Sequence, residues 1–278
     1  MAEAAKDATS LGRACYATAH VYNNLERPDL ALPWVERAAA ADPGIASLSF
    51  AALQASLLSQ CGRFDEADAC YAHLMPEVDT EASTPATQKI QGLLLNNMAW
   101  HDYRCGRMLR GLERSQAAQA RLEAASEPHA LGDMLACRAR LLACLNRADE
   151  AEALCREALA QTDKASPWTA RLWRELALLL QGTGRQADAL AAAETGLAQA
   201  LQLQLPALAG FCSLLGDLTE AEGDSNRASN LRQRAMEIER DLELSQRSGG
   251  VVGDLRRGPE QALDRHAAVI CSAQLSPK

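Results

Sequence analysis

"CGRFDEADACY" (residues 61–71) sets a glycine at a chain reversal and follows it with Phe64, Ala67 and Tyr71 on or near one face of a helix. The spacing decides the fold because it returns. Counting the turn residue as position zero, the matching sites are Glu26, Gly62, Gly106, Asn146, Gly184 and Gly223, separated by 36, 44, 40, 38 and 39 residues. Five residues after each comes a small side chain: Ala31, Ala67, Gly111, Ala151, Ala189 and Ala228. Seven before comes another: Ala19, Ala55, Ala99, Ala139, Ala177 and Gly216. Twelve after, the series runs Ala38, Leu74, Ala118, Ala158, Gly196 and Ala235. With about a quarter of the chain Ala or Gly, two fully small columns and a third with one exception are a repeat signature, not a reflection of composition.

Such columns serve helix-on-helix approach. Two antiparallel helices joined by a short turn cross closely only where one presents Ala or Gly, while larger neighbours fill the flanks. Those neighbours are Leu58, Leu142 and Leu180, four before the turn, and Leu95, Leu135 and Trp173, eleven before it. A unit of this kind cannot bury its apolar face alone and must stack on the next.

On these residues the chain resembles the tetratricopeptide-repeat (TPR) superfamily: small residues at both crossing positions, Gly at the turn, Tyr22 and Tyr71 at aromatic positions, Pro43 closing the first repeat, and "LLNNMAWHDYRCGR" (94–107) resembling a first helix and turn. The resemblance covers about residues 11–240. It departs from the standard repeat in its spacings, longer than 34 residues, in Asp102 where an aromatic or Leu is usual, and in Glu26 at a turn position. The longer units resemble the TPR-like regions of bacterial signalling and regulatory proteins. What this implies is an all-α fold, a right-handed α-solenoid of about six stacked helical hairpins. Residues 1–10 are expected as a lead-in, 11–240 as the repeat array with hairpins near 11–42, 47–76, 88–125, 130–162, 167–202 and 206–240, and 241–278 as a C-terminal tail, partly disordered or with a short helix around 259–271. The connector "PEVDTEASTP" (76–85), bounded by prolines, is expected as the longest loop, and the last helix should end near "SGG" (248–250).

Composition narrows the function. The chain has 278 residues, 48% hydrophobic and only 4% aromatic, which favours helices over sheets. A net charge of -8 argues against nucleic-acid binding, which needs a basic face. "MAEAAKDATS" lacks a basic segment leading into an apolar one, and the longest apolar runs, such as "LALLL" (176–180), are too short for a membrane span, so a cytoplasmic protein is expected. Nine Cys, none in a CxxC pair, read as reduced and mostly buried. His101 with Cys105, and Cys70 with His73, each offer two ligands on one helix face, and nothing supplies a third, so no metal and no cofactor is expected. No phosphate-binding loop or nucleophile motif occurs, and "QGTGRQ" (181–186) takes its glycines from the turn column. The expectation is a non-enzyme.

In TPR proteins the first helices of successive repeats line a concave groove. By resemblance that groove receives Tyr16, His20 and Asn23, then Ser49, Ser56 and Ser59, then Asn96, Asn97, Trp100 and Tyr103, then Arg140, then Arg171 and Arg174, and finally Asp217 and Glu220. Asn97 matches the backbone-gripping Asn of some peptide-binding TPRs, whereas the Lys/Asn/Arg clamp of chaperone-binding TPRs is not reproduced. The binding residues expected are Asn96, Asn97, Trp100, Tyr103, Arg140, Arg171 and Arg174: amides for a peptide backbone, an aromatic anchor, and guanidiniums for carboxylates. The leading reading is therefore an adaptor or scaffold holding a peptide or helical segment of a partner protein, one that could carry acidic residues. Two other readings stand beside it: a regulatory segment of a bacterial signalling system, such as a partner of a cyclic-dinucleotide cyclase output domain, and a secretion-type chaperone.

Overall fold

A computed structural model describes residues 2–24, 27–41, 48–79, 84–161, 165–203 and 207–248. Twelve helices occur among them: α1 (Ala2–Asn24), α2 (Pro28–Ala41), α3 (Leu48–Gln60), α4 (Phe64–Asp79), α5 (Pro85–Arg104), α6 (Met108–Ala124), α7 (Pro128–Cys144), α8 (Ala148–Ala160), α9 (Pro167–Gly182), α10 (Gln186–Gln202), α11 (Leu208–Ala221) and α12 (Ser225–Ser248). The fold is all-α, of the repeat-solenoid type. Two compact units divide it, Met1–Arg147 and Ala148–Lys278. In the first, α1/α2, α3/α4 and α5/α6 pair as hairpins; α2 packs on α3, α5 lies on both α3 and α4, and α7 lies on α5 and α6. In the second, α8 packs on α9, α9/α10 and α11/α12 pair, and α10 packs on α11.

The turn column has a backbone cause. Gly62, Gly106, Gly184 and Gly223 have φ of 76°, 74°, 77° and 90°, and Asn146 takes φ 59° in the same column, the left-handed conformation that closes a helix C-terminus. At each of these turns the next residue's N–H donates to the carbonyl five residues back, as in Arg63 to Leu58 (2.9 Å), Arg107 to Asp102 (2.8 Å), Arg147 to Leu142 (2.9 Å), Arg185 to Leu180 (2.9 Å) and Asp224 to Thr219 (3.0 Å). Arg27 makes the same bond to Tyr22 (3.0 Å); its neighbour Glu26 lies outside the described residues, as does Pro43.

The small columns are buried throughout, and the glycines in them show why. A Cβ on Gly111 would stand 3.2 Å from the Ala99 carbonyl oxygen and 3.3 Å from Asp102 Cβ, and one on Gly216 would stand 3.3 Å from the Ala228 carbonyl oxygen. In both cases the residue five after the turn meets the residue seven before it, so the two columns are two sides of one crossing. A further column was not anticipated. Arg27, Arg63, Arg107, Arg147 and Arg185 all directly follow the turn residue, and three of them reach back to the second helix of the preceding repeat: Arg63 to Glu36 (2.9 Å), Arg107 to Asp68 (3.0 Å) and Arg185 to Glu152 (2.8 Å). Each is a surface pair contributing about 0–1 kcal/mol, so the column supplies register more than stability.

Two boundaries differ from expectation. α4 continues through Pro76 to Asp79, because a proline near a helix end costs only one backbone bond, so the connector is shorter than 76–85; its residues 80–83 lie outside the described residues. α1 begins at Ala2, so residues 2–10, expected as a lead-in, are its opening turns. At the other end α12 runs to Ser248, taking in the first residues of the expected tail; residues 249–278, including the short helix expected around 259–271, lie outside the described residues.

Candidate interaction face on the first helices

α5 is anchored at its start by Thr84, whose hydroxyl accepts from the Thr87 N–H (3.2 Å), with Pro85 in the first turn. From there Asn96, Trp100, Tyr103 and Arg104 fall four, three and one residues apart and share one stripe. Asn96 is buried. Its Nδ2 donates to Asp133 Oδ2 on α7 (2.7 Å), the oxygen that also accepts from Trp100 Nε1 (3.3 Å). Asp133 thus ties the first helices of adjacent repeats together, while Asn96 Oδ1 stays buried without a partner. Asn97 is half-buried on the neighbouring face.

The half-buried rings of Trp100 and Tyr103 meet edge to face, centroids 5.9 Å apart. Arg104 lies over Trp100 (5.8 Å) and Arg140, from α7, over Tyr103 (5.9 Å). A cation above an aromatic face contributes about 0.5–1 kcal/mol exposed and about 2 when desolvated. Three residues expected from the sequence, Trp100, Tyr103 and Arg140, therefore come together, and Arg104 joins them. Arg104 carries the same information a sequence reader would use, a position four after Trp100, but it falls at the helix end and was not singled out.

Elsewhere in the first unit, Tyr16 packs its ring against His20 (4.6 Å) and Phe50 (5.6 Å); burial pushes the Tyr16 hydroxyl pKa up and that of His20 down. Gln60 donates to Asn23 (3.4 Å) and Ser56 (3.2 Å), and Ser49 falls where side chains are not described. In the second unit Arg171 is exposed, and the half-buried Arg174 lays its guanidinium over Gly210, at 3.7–3.8 Å from where a Cβ would stand. Asp217 and Glu220 both pair with Arg232, at 2.9 and 3.3 Å.

Behind the aromatic stripe lies a polar network. His101 is fully buried, its Nδ1 2.9 Å from Ser59 Oγ and its Nε2 3.0 Å from Asp68 Oδ1 and 2.9 Å from an Arg107 nitrogen. Burial lowers the His101 pKa against the pull of Asp68, which favours the neutral ring; the protonated ring would donate from Nε2 to Asp68. Burial alone would raise the Asp68 carboxyl, and hydrogen bonds from Arg107 and His101 outweigh it and hold it low. Serine, histidine and aspartate in a line invite comparison with a hydrolytic triad. Here the serine is 1% exposed, so no substrate carbonyl reaches it, and the arrangement is a packing network. Cys105 Sγ stands 3.6 Å from His101 Nε2, and among the described residues no group of three or more metal-ligating side chains gathers.

Asp102, the sequence's departure from an apolar column, is completely buried and held by Arg110 (2.5 Å), Arg114 (2.7 Å) and Arg107 (3.2 Å). Gly111 stands where most repeats have Ala; a Cβ there would come within 2.9 Å of Leu141 and 3.3 Å of Asp102 Cβ. No helix among the described residues is long and apolar enough to cross a membrane.

No family model matches the chain, and no curated protein matches it in sequence. Solved structures do match in fold. BtubC (BKLC) from P. vanneervenii superposes with a TM-score of 0.55 at 20% identity, covering 80% of this chain and 92% of that one. The nearly identical TPR-like repeats of a Podosopora anserina protein assigned as a kinesin light chain superpose with a TM-score of 0.52 at 18% identity, covering 71% of this chain and 97% of that one.

Proposed function

From a chain whose fold is TPR-like, we propose a non-enzymatic protein-interaction module that holds a peptide or helical segment of a partner against the first-helix face of α5 and α7. The observation that carries this reading is the half-buried Trp100–Tyr103 pair with Arg104 and Arg140 over its rings. Aromatic anchors and arginines are the side chains that dominate binding energy at interfaces: the rings bury large area with few rotors to freeze, and the guanidinium offers a planar fork of donors. Asn97, half-buried beside them, serves as a donor and acceptor for partner backbone. Asn96 acts through Asp133, fixing the orientation of the Trp100 indole. In the second unit, Arg171 and Arg174 form a separate contact for carboxylates. A reducing, cytoplasmic setting belongs to the same reading and is supported by eight free thiols among the described residues.

The test is affinity capture from the native lysate with wild type, Trp100→Ala/Arg140→Glu, and Arg171→Glu/Arg174→Glu, each first matched for helicity and melting temperature by circular dichroism. A partner held by wild type and lost with the first variant supports the face of α5 and α7; loss with the second assigns the second unit its share. A partner retained by both moves recognition off the first helices and defeats the proposal.

A further inference from the structure

Five residues before the turn, the column reads Val21, Leu57, His101, Leu141, Leu179 and Leu218. One repeat thus places an imidazole where every other repeat places an aliphatic side chain. It is buried as completely as its counterparts: His101, Leu57, Leu141 and Leu218 are each 0% exposed. An ionisable ring in such a place must find partners for its polar atoms, a cost that Leu does not carry, so packing alone does not account for it.

The ring stands where the second hairpin (α3/α4) meets the third (α5/α6). From α3 it meets Ser59 Oγ, 2.9 Å from Nδ1. From α4 come Asp68 Oδ1, 3.0 Å from Nε2, and the rings of Tyr71 and Phe64, at centroid distances of 5.1 and 6.2 Å. From the α5–α6 turn comes an Arg107 nitrogen, 2.9 Å from the same Nε2. Its own helix adds Cys105 Sγ, 3.6 Å from Nε2, and the buried Asp102 carboxylate, which Arg107, Arg110 and Arg114 hold. Two carboxylates therefore face three guanidiniums, and the site is short of negative charge before any proton arrives. Arg107 also grips both oxygens of Asp68 (3.0 Å each), which makes it the clip between the third hairpin's turn and the second hairpin.

Asp68 and Arg107 compete for one ring atom. A neutral imidazole has one N–H and one lone pair, whereas a protonated one has two donors and no acceptor. With the proton in place, Nδ1 gives to Ser59 and Nε2 gives to Asp68, and the Arg107 N–H is left against a donor of its own charge. Relieving that contact means withdrawing Arg107, and withdrawing it releases Asp68. We propose that the junction of the second and third hairpins is a proton-operated hinge, closed by Arg107 on Asp68 while His101 is neutral and opened when protonation of His101 displaces Arg107. Burial, which disfavours charge on the ring, acts in the same direction. The first helices α3 and α5 lie on the two sides of this hinge, so its opening alters the surface they share, whatever partner they hold.

Amide hydrogen exchange on the full chain, followed by mass spectrometry, tests this. Rates are read as protection factors, which removes the intrinsic pH dependence of exchange. None of the five histidines lies in α9, α10 or α11, so these helices serve as the internal reference. Between about pH 7.5 and about pH 5.5, protection at the end of α3, the start of α4 and the end of α5 should fall relative to that reference by up to about 10-fold. That limit belongs to one group of ordinary pKa 6.5 that the closed hinge keeps neutral. His101→Leu, the residue of this column in neighbouring repeats, and His101→Gln should each abolish the fall. Arg107→Gln, which removes the like charge and leaves Asp68 to the ring, should shrink it, a response that a merely structural histidine would not give. Wild type alone decides the first outcome: no fall, or an equal fall in the reference helices, overturns the inference. So does a fall that persists without His101, or one undiminished in Arg107→Gln.

Discussion

Replacing Asp102 should separate charge from packing at the centre of the first unit. The carboxylate is fully buried while its partners are not: side-chain exposures are 45% for Arg110, 30% for Arg107 and 19% for Arg114. Removing one partner of a buried ion pair costs about 3–5 kcal/mol when the other is left dry. That figure shrinks here, since Arg110 can return to water and Arg107 keeps Asp68, leaving Arg114 as the poorly solvated orphan. Asp102→Ala should therefore cost about 2–3 kcal/mol once the small cavity is included. Asp102→Leu should cost less, about 1 kcal/mol, because the column holds Leu58, Leu142 and Leu180, all buried, in other repeats. Urea titrations followed by circular dichroism would measure both. Near-neutral Asp102→Ala would refute the view that the three guanidiniums depend on this carboxylate; equal losses for Ala and Leu would refute the view that the position is otherwise an apolar packing site.

Two other perturbations test the network and the helix crossings. His101 has a folded-state pKa held below its ordinary 6.5 by burial, so the unfolded chain takes up the proton first and stability falls as pH drops through and below that value. Asp68, held below its ordinary 3.8, contributes stability that is lost only at more acid pH, as its carboxyl protonates. Thermal melts between neutral pH and the mildly acid range should then show a slope that His101→Gln flattens, and an unchanged slope would assign the effect to His20 or other groups. Gly196→Ala places a Cβ against the Phe211 ring and 3.0 Å from Trp173 Cβ, an overpacking that should cost about 1–3 kcal/mol by the same melts; a neutral result would mean that α10 and α11 sit farther apart than described.

Spacing made the fold legible, since each column names an event that recurs. Turn residues occupy left-handed backbone, and the small residues five after and seven before the turn meet across one crossing. What periodicity does not report is the reach of individual side chains into a neighbouring repeat. Asp133 gave no signal in its own helix, yet it takes both Asn96 and Trp100 from positions 37 and 33 residues earlier. Asp102 stood out as a departure from the column, but nothing in its spacing said that Arg107, Arg110 and Arg114 would converge on it, because that depends on how the turn aims the next helix. The arginine following each turn was readable and overlooked: a charged residue beside a glycine looks like solvent-facing punctuation until Glu36, Asp68 and Glu152 appear opposite three of the five. Pro76 misled for a local reason, since a helix tolerates proline where few backbone bonds remain to be lost.

The division of labour among columns bears on where recognition can sit. Positions that close the turn or cross the helices are confined to a narrow set of residues, Gly or Asn at five of the six turns and Ala or Gly at the crossings, and have little freedom to specialise. The half-buried to exposed stripe of the first helices is not so bound, and there the chemistry changes from repeat to repeat: six before the turn stand His20, Ser56, Trp100, Arg140, Leu178 and Asp217. Two before the turn, Gln60 bonds to Asn23 of the preceding repeat, and Arg104 lies over the Trp100 ring. Recognition that used these varied positions would differ from repeat to repeat without disturbing the turns and crossings that fold the chain, which is why substitution at Trp100 and Arg140 should alter what is bound at unchanged helicity.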